Sequence, residues 1–418
     1  MFKLNLRKLS RKTFGACSMA TPSRLKPRPT FRPRLEVLED RRCPSTIWSP
    51  QLNGGVYSTD GNNAANYTNG LPSATNPLIL DGSQVGHNQA ITFSAPLDID
   101  SLTVENNYNN TLTIKSGATL TTDTNDTVNT GCTLTLVSAD SKGIELGSGN
   151  NFTVQSGATL KLADPSGATS GGTYLSAFAN DAGEVLKNSG TVSWTGIAVA
   201  SGNSAIKDTI NAAVYNAGTF NADGGTKGNN TDVGGELDVT SWDSTTNSDG
   251  FDMVSGSVNL TNGATLDVGY NYYQAGGSLT SDSSAVTLYT GIPGSRAGDI
   301  AIDGGSVTVD TVANTVGTFY FSSSTVEING QINVSGLTTG GNSTQSDRLS
   351  CGRAAVTLEA HSYLNVGTTG SGSLGKSNNW TVMTYGSYKN SWGGINVPAG
   401  MTAATTGLSV TVTGPPQM

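Results

Sequence analysis

The chain has 418 residues, of which 35% are hydrophobic, only 13% are charged and 53 are glycine. That apolar share is enough for a core and the low charge excludes charge-driven disorder of the main body, while no run approaches the ~18 apolar residues of a membrane span. The net charge of −8 is unevenly placed: residues 1–42 hold 12 Lys and Arg against three acids, and residues 43–418 hold 11 against 28. A basic head precedes an acidic body that has no basic stripe, so no nucleic-acid partner is expected.

In chain order, residues 1–45 read as a disordered basic leader. An ordinary secretory signal needs an apolar stretch of 7–15 residues after its positive start. Residues 13–20 (TFGACSMA) are too short and weakly apolar to supply it, and the same lack rules out a lipoprotein box at Cys17. A more specific pattern follows in residues 34–45 (RLEVLEDRRCPS). Leu35 and Leu38 are three apart and share a face of a short helix, which Pro33 can start and Pro44 would end. This segment resembles the N-terminal motif Leu-Glu-x-Leu-Glu-x-Arg of extracellular proteins of planctomycete bacteria, matched by Leu35, Glu36, Leu38, Glu39 and Arg41, with Ser45 as the small closing residue. The resemblance implies export, with the leader read by export machinery, and an extracellular or cell-surface address; Met19 is an alternative start that brings the motif nearer the terminus.

Residues 46–130 read as an N-terminal cap and first coils. Asn63-Ala64-Ala65-Asn66-Tyr67, Gly70-Leu71-Pro72, residues 78–81 (LILD) and residues 99–104 (IDSLTV) resemble the opening of planctomycete β-helix proteins with autotransporter-like passenger repeats. Trp48 and Tyr67 are expected to cover the first coil, whose end otherwise exposes core and unpaired strand.

The body, residues 131–375, is dominated by a unit that begins just before it: residues 112–120 (LTIKSGATL), 152–160 (FTVQSGATL) and 258–266 (VNLTNGATL). Apolar residues keep one parity on both sides of a Ser-Gly or Asn-Gly turn, so each copy reads as strand, tight corner, strand with the same face inward. Looser copies follow Gly190, Gly218, Gly256, Gly277 and Gly305. The first two full copies stand 40 apart, a spacing that predicts two coils. At about 20–25 residues per coil and about 4.8 Å per stacked strand, residues 46–375 would form a rod roughly 65–80 Å long. The predicted fold is all-β, a single right-handed parallel β-helix (β-solenoid), the handedness by analogy with the family. Residues 376–418 read as a capping β segment: Leu408, Val410 and Val412 alternate as a last strand, and Trp380, Tyr385 and Trp392 shield the final coil.

Chemistry is sparse. Cys17, Cys43, Cys132 and Cys351 show no CxxC, and with only His87 and His361 available no zinc spacing exists; both histidines read as surface residues, and no cofactor is expected. Polysaccharide-cleaving β-helices need carboxylates, or carboxylate-bound calcium, clustered on one outer face. The close pairs are Asp98/Asp100, outward on a strand, and Asp123/Asp126 and Asp249/Asp252, both assigned to loops. Three or more carboxylates on one face would favour such an enzyme; scattered acids would not. Residues 271–274 (NYYQ) are the best sugar-binding strip, with Tyr272 and Tyr273 as candidate glycan contacts. The expected function is non-catalytic: a secreted or surface-exposed structural or adhesin-like protein whose partner is a cell-envelope component or an extracellular glycan. The alternative is an extracellular carbohydrate-binding or polysaccharide-cleaving β-helix.

Overall fold

The computed structural model describes residues 45–414, apart from 139–142, 164–172, 177, 180–184, 227–232, 241–249, 283–284, 292–297, 310–317, 324, 335–336, 341–342, 347, 352–353, 359–361, 367–378, 390–392 and 407. The leader with its Leu35–Arg41 motif, Cys17, Cys43, Asp249, His361 and Trp392 lie outside the described residues. The described residues belong to one compact unit and contain no α-helix.

The chain is a parallel β-helix. Strands from successive coils stack into a 13-stranded first sheet and a 12-stranded second sheet. The third face begins as a four-stranded sheet and is continued by a ten-stranded one; the coil bearing Thr173–Ser176 and Phe178–Ala179 contributes one strand to each. Alternation dictates this wrapping: strands such as Thr133–Ser138 and Ser257–Thr261 bury every second side chain, so one parity of every coil faces a common interior. The core column Leu134, Leu160, Val192, Phe220, Val258, Leu279 and Val307 runs through consecutive rungs of the second sheet, and every member is fully buried. Each side chain of this kind contributes roughly 1.5–3 kcal/mol. Aromatics repeat the theme: Phe251 meets Phe220 edge-on at 5.1 Å and stacks on Tyr272 at 5.6 Å.

Register corrects the coil length. Val214 pairs with Phe251, 37 residues on, and Phe251 with Tyr272, 21 residues on. Twelve steps of about 4.8 Å make the 13-stranded sheet about 58 Å long, shorter than expected because most coils hold more than 25 residues. The three full turn copies also sit at different corners. Residues 112–120 and 258–266 turn from the second sheet to the third face, whereas residues 152–160 turn from the first sheet to the second. The 40-residue spacing is therefore not two coils.

The looser copies do share one corner, and there glycine is required. Gly190, Gly218, Gly256, Gly277 and Gly305 follow one another up the rod at the first-to-second corner. A Cβ on Gly256 would lie 1.9 Å from the Gly218 carbonyl oxygen, and one on Gly277 2.4 Å from that of Gly256. Each carbonyl accepts from the amide one rung above, as in Thr219 N to Gly190 O (2.8 Å) and Ser257 N to Gly218 O (2.8 Å). Buried amides line the inner side: Asn188 Nδ2 donates to Asn216 Oδ1 (2.7 Å) and Thr219 O (2.8 Å), and Asn216 Nδ2 donates to Ser257 O (3.2 Å). Polar side chains inside the rod are thus paired with one another and with backbone carbonyls at the corner.

Both ends are closed. Trp48 and Tyr67 pack edge-on at 5.2 Å, and both are buried. At the other end Ser409–Thr413 runs antiparallel to Asn379–Thr384 and to Thr402–Thr406, reversing the parallel stack over buried Trp380 and Tyr385. Val410 and Val412 point inward as expected; Leu408 lies in the preceding turn and is exposed, so the last strand starts one residue later than the alternation suggested.

Candidate functional site

The described residues contain one tight group of three carboxylates, on the outer face of the ten-stranded sheet. Lys207–Ile210, Glu236–Val239 and Thr265–Val268 are consecutive rungs. Their inward residues include Ile210, Leu237, Val239, Leu266 and Val268, all fully buried. That alternation sends Lys207, Glu236, Asp238 and Asp267 outward. Register places Lys207 opposite Glu236, and Asp238 opposite Asp267.

One oxygen from each of Glu236, Asp238 and Asp267 lies within 4.8 Å of the others. The Lys207 ammonium bonds to Glu236 Oε1 and stands 3.8 Å from Asp238 Oδ2. Asp238 Oδ1 is buried without a hydrogen-bond partner. Burial first, and then the neighbouring Glu236 charge, push Asp238 up to about 7, against the pull of Lys207. The same causes raise Asp267 to about 6. Burial pulls Lys207 down, but its bond to Glu236 and the charges of Asp238, Glu236 and Asp267 outweigh that and hold it above its ordinary value. The group therefore keeps a proton into the neutral range and is partly neutralised from within by Lys207. Chemically it can hold a proton, accept hydrogen bonds from a polyhydroxyl ligand, or take a cation at the cost of displacing Lys207 or that proton.

None of these three acids was singled out from the sequence, although a signal existed. Leu237-Asp238-Val239 and Leu266-Asp267-Val268 are the same tripeptide 29 residues apart, one coil of this face, and identical triplets in register stack like charges. The acids that were singled out behave otherwise. Asp98 is exposed on its strand, facing away from buried Ile99. Asp126 corrects the loop assignment: it opens the strand Asp126–Val128 and is fully buried. Its Oδ1 accepts from Leu102 N (2.7 Å) and its Oδ2 from the Thr122 hydroxyl (2.9 Å), and burial still raises it to about 7. Asp252 likewise lies in a strand, Gly250–Met253.

The proposed tyrosine pair divides. Tyr272 is fully buried against Phe251, with its hydroxyl 3.3 Å from Gln274 Oε1, so it cannot touch a glycan. Neighbouring strand residues point to opposite faces, which leaves Asn271 and Tyr273 outward and Tyr272 and Gln274 inward. Tyr273 is exposed, and its hydroxyl donates to Asp303 Oδ2 (3.0 Å). Cys132 and Cys351 are buried, unpaired thiols. No helix among the described residues is long and apolar enough to cross a membrane. Comparison with family models, curated proteins and solved structures gives no match.

Proposed function

We propose that this protein is a non-catalytic extracellular rod, a structural or adhesin-like component that presents loops and a flat polar surface outside the cell. The observation that carries the reading is the pair of long parallel sheets, 13 and 12 strands deep, covered at both ends. A repeat rod of this kind has a long exterior and one continuous core, which suits display and mechanical stiffness more than enclosure of a substrate. The exterior of the second sheet supports it. Asn259 Nδ2 donates to Asn221 Oδ1 (2.8 Å), Thr280 Oγ1 to Asn259 Oδ1 (2.6 Å), Asn365 Nδ2 to Asn333 Oδ1 (2.9 Å) and Asn396 Nδ2 to Asn365 Oδ1 (2.7 Å). Such side-chain ladders stabilise stacked rungs without charge. The Leu35–Arg41 pattern supports an exported protein. Fractionation of cells expressing the tagged full chain, beside a variant with Leu35, Glu36, Leu38 and Glu39 changed to Ala, tests this. Wild type outside and the variant retained supports export; wild type in the cytoplasm overturns it.

The group at Glu236, Asp238 and Asp267 favours a second reading, a polysaccharide-cleaving β-helix. Its oxygens, within 4.8 Å, approach the ~5–5.5 Å carboxyl separation of retaining glycosidases, in which one carboxyl has a raised pKa. Release of reducing ends from neutral polysaccharides that is abolished by Asp238→Asn would establish it; no release by wild type would leave the rod reading alone.

A further inference from the structure

The outer face of the first sheet carries a second feature, at right angles to the strip expected from residues 271–274. Lys187, Tyr215, Asp252, Tyr273, Ala301 and Glu327 occupy successive rungs in one register column. Tyr215 is 42% exposed and Tyr273 37%, so both rings lie open on the same line, two rungs or about 9.6 Å apart. Among the described residues neither ring pairs with another aromatic ring. Tyr273 is held in orientation by its bond to Asp303, and its neighbour on the next rung is the small Ala301.

We propose that this column binds an extended, neutral polysaccharide chain running along the rod axis. A sugar ring has an apolar C–H face and a rim of hydroxyls, so it needs an aromatic surface flanked by hydrogen-bonding groups. Tyr215 and Tyr273 supply two such surfaces, and Asp252 between them accepts from the hydroxyls of the intervening unit. The two-rung spacing is comparable to the disaccharide repeat of a linear β-linked glycan, so alternate sugars meet alternate rungs. Charge selects against acidic glycans, because the column holds Asp252 and Glu327 against Lys187, and residues 43–418 hold 28 acids against 11 Lys and Arg. The proposal rests on the adhesin-like reading for where the glycan is encountered; the binding is a property of the folded rod.

The test is titration calorimetry of the purified full chain with cellohexaose as the neutral linear probe and hexagalacturonate as its anionic counterpart. The expected result is binding of cellohexaose alone, weakened tenfold or more by Tyr215→Ala and by Tyr273→Ala. Tyr320→Ala, which removes an exposed tyrosine of the ten-stranded sheet, should leave it unchanged. All three positions are on the exterior, and unaltered circular dichroism confirms that the variants fold. No binding of cellohexaose, equal binding of hexagalacturonate, or affinity that survives the Tyr215→Ala/Tyr273→Ala double substitution overturns the proposal. A chain that binds cellohexaose but remains in the cytoplasm contradicts only the extracellular reading, so the two failures are distinguishable.

Discussion

Replacing Gly256 by alanine tests the glycine column, the feature that joins sequence pattern to coil stacking most closely. Gly256 has φ +81°, a conformation that costs an L-residue roughly 1–2 kcal/mol. Its added Cβ would sit 1.9 Å from the Gly218 carbonyl oxygen, well inside contact, and both neighbours are backbone that cannot rotate away. The rungs must separate, which loosens the 2.8 Å bond from Ser257 N to Gly218 O, a loss of about 1 kcal/mol. The total is about 2–3 kcal/mol. Gly117 is the control, because it has φ +77° but nothing within 4 Å of the place an added methyl would take, so Gly117→Ala should cost only the roughly 1–2 kcal/mol of backbone strain. Urea unfolding gives the two costs, and hydrogen exchange should show faster opening at the Ser257 and Ser278 amides in Gly256→Ala alone. Equal destabilisation by the two substitutions, with unchanged exchange at those amides, would refute the stacking argument.

Leu160→Asp places a charge in the core column and should cost at least about 3 kcal/mol; an unchanged thermal melt would contradict the inward assignment. Asp126 is held at about 7 against an ordinary value near 4, so the folded state binds its proton more tightly than the unfolded chain. Its contribution is most favourable below pH ~4 and is lost as pH rises towards ~7, by about 4 kcal/mol at most. Asp126→Asn should therefore stabilise the protein at pH 8 and change little at pH 4, read from paired urea curves; a loss at pH 8 would show the charge to be favourable there. Lys207→Met removes the cation facing Glu236 and Asp238. It should destabilise the rod by about 1 kcal/mol at pH 8 and by less at pH 5, where Asp238 and Asp267 carry protons; a pH-independent effect would point to lost packing instead.

Much of the architecture is legible because strand parity and turn chemistry are local. The glycine copies from 190 to 305 mark one real corner, since close approach of backbones excludes every other residue there. Coil length was less legible. The same Ser-Gly-Ala-Thr-Leu string serves two different corners at residues 112–120 and 152–160, because any tight turn between two inward-facing strands meets the same steric demands, and sequence distance then misstates rung number. Tyr272 shows parity applied incompletely: four adjacent residues of a strand cannot form one surface. Asp126 was misplaced for another reason. A carboxylate among threonines and asparagines resembles a solvated turn, and only the stacked coil reveals Leu102 N and the Thr122 hydroxyl as its partners. The acid group at Glu236, Asp238 and Asp267 required register between coils, which the repeated Leu-Asp-Val triplet suggests but loops of unequal length conceal.

The central claim is that successive coils advance the chain by one strand spacing however many residues they contain. Spin labels on the outer column of the second sheet measure this directly, in a chain whose four native cysteines are replaced by serine. Lys161 and Asn333 are 172 residues apart in sequence but six rungs apart in register. Pulsed electron–electron resonance between labels at these sites should report about 29 Å. Moving the second label to Asn365, one rung further on, should add about 4.8 Å, and moving it back to Thr280 should bring the distance to about 19 Å. Distances that follow the number of residues between labels, or that fail to change in equal steps, would contradict the stacked β-helix.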